Sequence, residues 1–274
     1  MIYAIGVDIS IAFRKDIYYF RYKGVDFKYV PHYKSNETDD LVCKIPKSSS
    51  QPKMFELMTE FLSAFTFANN AQVIAHSGIS SQVDAKLNKV NIRFSVKRSI
   101  NASESMDEFY TIALLNKPEQ IQLARLYREA NSSNNIYLQI LFFWHCLVYP
   151  SSDENGAVAY IDNLVGNWPR ELEYMRENVN RFTANRIYLG NQNPQNVSVG
   201  EYVKNSIRHS IAHIVRKSGY GIDLQLDSWD QVRHLHDIGS FLQCLARYRL
   251  ENEYTMKASN DTAIFRYINE DELL

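Results

Sequence analysis

Cysteine is scarce: Cys43, Cys146 and Cys244 are the only three in 274 residues. They are odd in number and far apart, and two of them lie in apolar helical stretches. That excludes a disulfide framework and suits reduced thiols, so the expected compartment is the cytoplasm. Glycine and proline are also sparse, at 10 and 7 residues, which rules out collagen-like and low-complexity chains. No apolar run reaches the ~18 residues of a membrane span, and Met1 to Ile5 shows no basic stretch of the kind that opens a secretion signal. Nor does charge of one sign dominate: 30 Lys and Arg face 31 Asp and Glu, so a nucleic acid would have to be met by a local patch. What is present is apolar side chain, 45% of the residues, enough for at least one sizeable core. The length lies between one large domain and two small ones.

Periodicity favours two. Residues 2–13 and 17–30 are rich in Ile, Val, Tyr and Phe, with a turn signal at Lys23-Gly24, and read as strands of a meander. Phe55, Met58, Phe61, Leu62 and Phe65 recur at helical spacing, and residues 91–100 return to alternation. From about Met106 onward the pattern is helical, over 119–129, 135–148, 168–181, 198–217 and 228–250. The expected fold class is α+β: a mixed strand and helix domain over residues 1–105, then an all-helical bundle over 106–274. Residues 253–268 could close the bundle as a β-hairpin. Polar stretches at 101–105, 48–52, 151–156 and 190–196 read as exposed connections.

The connection at 190–196 delivers the chain to the most informative helix. Ser198 and Glu201 form an S-x-x-E capping signal. Turning the residues that follow by about 100° each puts Val203, Ile207, Ile211 and Ile214 in one core-facing stripe. His209 falls almost opposite it, and Arg208 and His213 flank the polar face about 140° apart. The run Arg208-His209-Ser210-Ile211-Ala212-His213 resembles the R-x4-H signature of the HEPN superfamily, in which a polar residue follows the Arg. Residues 123–130 and 137–145, and Leu245-Ala246-Arg247, resemble the helices of Apea-like and methylamine-utilisation MauJ-like HEPN proteins. The likeness covers about residues 117–250 and predicts that the bundle is HEPN-like.

That resemblance implies a metal-independent endoribonuclease, set in defence or toxin-like regulation. His213 would transfer a proton at the ribose 2′-OH and Arg208 would stabilise charge on the phosphorane, with no cofactor and no metal. An imidazole titrates near working pH, and a guanidinium matches two phosphate oxygens. His209 is the third candidate, as a catalytic group, a substrate contact or a solvated helix residue. The implied partners are RNA, a second copy of the chain and a regulatory protein, with no membrane. One departure is Val148, which stands where the family pattern leads one to expect a carboxylate. The rival reading is a non-catalytic HEPN-like module for dimerisation or for binding protein or RNA. Burial of Arg208 or His213 in an intrachain pair would favour that rival.

Other histidines and the tyrosines have blander readings. His209, His213, His234 and His236 could supply imidazoles to a metal, but His234 and His236 sit two apart on a helix and face away from each other. His145, among Phe142, Phe143, Trp144 and Leu147, reads as a core residue. Tyr18, Tyr19, Tyr22, Tyr29 and Tyr33 alternate with Arg and Lys, a pattern that suits either an RNA-stacking sheet face or an ordinary half-exposed sheet.

Overall fold

The structure, a computed structural model, describes residues 1–32, 37–45, 49–82, 86–87, 104–106, 111–150, 153–184, 196–212, 228–259 and 261–273. The architecture is α+β, in two compact units: Met1–Ser132 together with Met256–Leu274, and Ser133–Thr255.

In the first unit β1 (Ile2–Ile9) is buried along its whole length, as its nearly unbroken apolar run requires of a strand covered on both faces. With β3 (Tyr18–Tyr22), β4 (Val25–Val30), β5 (Asp39–Lys44), β6 (Val73–Gln82) and β10 (Phe265–Tyr267) it forms an antiparallel sheet in the order β10-β3-β4-β5-β1-β6. Lys23 and Gly24 both take positive φ, 49° and 77°, the conformation that a two-residue hairpin turn demands. The helix α1 (Gln51–Asn69) starts with Pro52 in its first turn and ends at Asn70 in the left-handed region, φ 51°. Phe61 of α1 stacks on Phe20 and Phe27, at ring centroid distances of 4.7 and 5.7 Å. The helix α2 (Pro118–Ser132) packs on α1, where Arg128 Nη1 donates to the Thr59 carbonyl at 2.9 Å.

The expected terminal hairpin is not formed. β9 (Ala258–Ser259) pairs with β8 (Ile112–Ala113), and β10 extends the main sheet beside β3. The short β2 (Ile11–Phe13) runs parallel to β7 (Glu104–Met106). Tyr18, Tyr22 and Tyr29 do not make a stacking platform either. Tyr18, Tyr22 and Tyr29 share the sheet face that carries Phe20 and Phe27 and are buried to 2% exposure or less, because strand alternation sends them into the aromatic core. Tyr33 lies outside the described residues.

The second unit is helical: α3 (Ile136–Val148), α4 (Glu154–Gly166), a 3-10 turn (Arg170–Met175) leading into α5 (Arg176–Ala184), a composite helix, and α8 (Trp229–Asn252). The composite helix runs without a break through α6 (Val199–Glu201), a π-helical turn (Tyr202–Arg208) and α7 (His209–Ala212). Asn135 caps α3 by accepting from the amides of Tyr137 and Leu138. Gly239 of α8 lies against Ile136 and Ile140 near the start of α3, and Tyr254 beyond the end of α8 donates to the Tyr149 carbonyl beyond the end of α3. The two helices therefore run alongside in the same direction. Besides this α3–α8 pair, α8 meets the composite helix through His234 and Tyr202.

Candidate functional site

The site grows from the docking of α4 against the composite helix. Ser198 accepts from the Glu201 amide and donates to Asp162 Oδ2 of α4 at 2.6 Å. The other Asp162 oxygen accepts from the Gly200 amide at 2.8 Å. The Ser half of the expected capping signal is thus in place, while the Glu201 carboxylate accepts from the Asn205 side chain one turn on. Contact here is so close that a Cβ on Gly200 would stand 2.5 Å from the Val158 carbonyl oxygen, which explains the glycine. Antiparallel to α4 from this anchor, the composite helix next brings Lys204 Nζ to Asn155 Oδ1 at 2.7 Å, and then Arg208 and His209 to Glu154.

A π turn controls which side chains arrive. The His209 amide bonds to the Lys204 carbonyl, five residues back. On an ideal α-helix position i+8 drifts about 80° past position i. The wider π turn rotates each residue less and takes that drift back, so two rows at four-residue spacing stay on the buried face: Tyr202, Ser206 and Ser210, and Val203, Ile207 and Ile211. The predicted Val203, Ile207 and Ile211 stripe is therefore present, with Ile214 outside the described residues. Arg208 and His209, successive in sequence, both reach one carboxylate.

Arg208 Nη2 donates to Glu154 Oε1 at 2.7 Å, and His209 Nε2 lies 3.1 Å from Oε2. Burial works against the Glu154 charge, but the hydrogen bond to His209 and the positive fields of Arg208, His209 and Lys204 outweigh it and hold the carboxyl below its usual range. Arg208 Nε is buried with no hydrogen-bond partner among the described residues. His213, the remaining residue of the R-x4-H run, lies outside the described residues.

His145 belongs to this neighbourhood and not to the core. Trp144 and Cys146 on either side of it are buried, so the helix turns the His145 ring outward, where it is exposed. Its electrostatic neighbours are Arg208 and Glu154; partial burial and the Arg208 charge pull its pKa below the ordinary imidazole value. Glu154 opens a helix where residues 151–156 read from sequence as an exposed connection; Asp153 caps it, and Ala157, Val158, Ile161 and Leu164 mark its buried face.

His234 has a structural role. It is buried, shares a hydrogen bond between its Nε2 and the Tyr202 hydroxyl, and is held neutral by burial, its pKa pulled down to about 4. Among the described residues no three His, Cys, Asp or Glu side chains are grouped to hold a metal ion. Burial pushes the Cys43 and Cys146 thiols up to about 12, out of the range of nucleophiles. No described helix is long and apolar enough to cross a membrane.

Residues 123–251 match the family model described as methylamine utilization protein MauJ. This stretch is MauJ-like. It runs from α2 through almost all of α8 and contains His145, Glu154, Arg208 and His209. No curated protein and no solved structure matches the chain.

Proposed function

We propose that the MauJ-like stretch is a HEPN-type endoribonuclease that works without metal, with Arg208 and His213 as the reacting pair. The observation that carries this reading is the Glu154 carboxylate bridging Arg208 and His209, which fixes the guanidinium at the solvent rim of the helix. In the proposed reaction His213 takes the proton of a ribose 2′-OH and the 2′-oxygen attacks the adjacent phosphorus. Arg208 faces the charge that builds on the non-bridging oxygens, and the bond to the 5′-oxygen breaks to leave a 2′,3′-cyclic phosphate and a 5′-hydroxyl. Glu154 acts as a positioning residue in place of the carboxylate missing at Val148. A homodimer would bring two such motifs to one cleft.

The intrachain Arg208–Glu154 pair is also the observation that favours the second reading, a non-catalytic module for dimerisation or for binding RNA or protein. The exposure of the pair decides the order. Arg208 and Glu154 keep 19% and 26% of their side-chain surface, so a phosphate can approach the guanidinium without unfolding the helix. The test is incubation of the purified protein with mixed RNA in excess EDTA. Cleavage by the wild type that drops by about 10²–10⁴ in His213→Ala supports the nuclease. Intact RNA throughout leaves the binding module in its place.

A further inference from the structure

Cleavage by 2′-OH attack moves two protons, one off the attacking hydroxyl and one onto the departing 5′-oxygen, and His213 serves only the first in the mechanism above. Among the described residues, few groups around Arg208 can serve the second. The guanidinium does not give up a proton at working pH. Glu154 is held below its usual range and accepts, the Lys204 ammonium is engaged with Asn155, and His209 Nε2 is engaged with Glu154.

His145 is placed differently. It stands in the last turn of α3, which packs on both the π turn and α7. Its buried neighbours Trp144 and Cys146 turn the ring outward. The imidazole thus faces solvent within the electrostatic reach of Arg208 and Glu154.

We propose that His145 is the acid of this site: its imidazolium protonates the 5′-oxygen as the P–O5′ bond breaks, and the neutral ring takes a proton back from water. The inference rests on the ribonuclease reading and names its substrate class, a phosphodiester with a neighbouring hydroxyl and an alkoxide leaving group. In the free protein, partial burial and the Arg208 charge pull the ring's pKa down. A bound phosphodiester brings negative charge between the two and favours the imidazolium, so the acid is charged when substrate is present.

The test varies the leaving group. An aryl ester of uridine 3′-phosphate closes to the same cyclic phosphate but expels a phenolate that needs no proton. His145→Ala and His145→Gln are assayed on RNA and on the aryl ester beside wild type and His213→Ala, with circular dichroism to confirm the fold. The expected result is a fall of about 10²–10⁴ on RNA and a near wild-type rate on the aryl ester for both His145 variants, while His213→Ala loses both activities. Equal loss on the two substrates by the His145 variants, or no loss on RNA, overturns the role of His145 and leaves the nuclease reading standing. A wild-type protein that cleaves neither substrate overturns both.

Discussion

Glu154 Oε1 accepts from Arg208 Nη2 at 2.7 Å while its second oxygen faces His209. One carboxylate thereby fixes two side chains that an ordinary helix would splay about 100° apart. Glu154→Gln keeps the shape and removes the charge. The pair is partly exposed, so the expected loss of stability is modest, about 1 kcal/mol or less in urea unfolding. Loss of activity should be out of proportion to it, more than tenfold on RNA, because the guanidinium is no longer held in place. A variant as active as wild type would show that Glu154 positions nothing.

The same carboxylate makes an acid-side contribution. Its folded pKa lies below the ordinary value of 4.5, so the stabilisation is complete above that value and is lost as the pH falls through the lower folded one. Glu154→Gln should therefore differ least from wild type in the most acidic unfolding measurements.

Gly200 tests the anchor. A methyl group there would meet the Val158 carbonyl at 2.5 Å, and backbone cannot swing aside as a side chain can. Gly200→Ala is expected to cost about 1–3 kcal/mol in urea unfolding. It should also depress cleavage, since parting α4 from the composite helix draws Arg208 away from Glu154. Wild-type stability would mean that the helices have room to separate.

His234 gives the chain a pH dependence of its own. With a folded pKa of about 4 against 6.5 unfolded, it leaves the folded state fully stable above pH 6.5. Stability then falls as the pH drops toward 4, by up to roughly 3 kcal/mol, because the unfolded chain takes up the proton first. His234→Gln should flatten that part of the wild-type profile, read as urea midpoints between pH 7 and 4. Tyr202→Phe leaves His234 Nε2 buried without this hydrogen bond and should cost about 1–3 kcal/mol at pH 7. An unchanged slope in His234→Gln would move the titration to other groups.

Particular residues show what the sequence could reveal. The buried Val203, Ile207 and Ile211 row and the polar Arg208 and His209 were legible from spacing, because a helix face repeats. The π turn was not, since no residue preference distinguishes it from α-helix. Glu154 was hidden because Asn155-Gly156 reads as a turn, whereas Asp153 caps a helix that tolerates Gly156 in its first turn. His145 misled because α3 is apolar almost all round, so periodicity names no face and only packing decides which residue looks outward. On the sheet, Tyr18, Tyr19, Tyr22 and Tyr29 read as one aromatic cluster, because which strand face α1 covers depends on residues far along the chain.

A dimer is expected if two motifs share a cleft. Sedimentation equilibrium at micromolar concentration should give about twice the 31.9 kDa of one chain. A mass of one chain would require each Arg208 and His213 pair to act alone.

The most direct test of the central claim is the chemistry of the cut ends. RNA incubated with wild type, Arg208→Lys and His213→Ala in excess EDTA is analysed by mass spectrometry for terminal groups. Wild type is expected to leave 2′,3′-cyclic phosphate and 5′-hydroxyl ends. Yields should fall steeply in both variants, since an ammonium keeps the charge of Arg208 but not its planar grip on two oxygens. Cleavage that vanishes with EDTA, 5′-phosphate ends, or equal yields from all three proteins would contradict it.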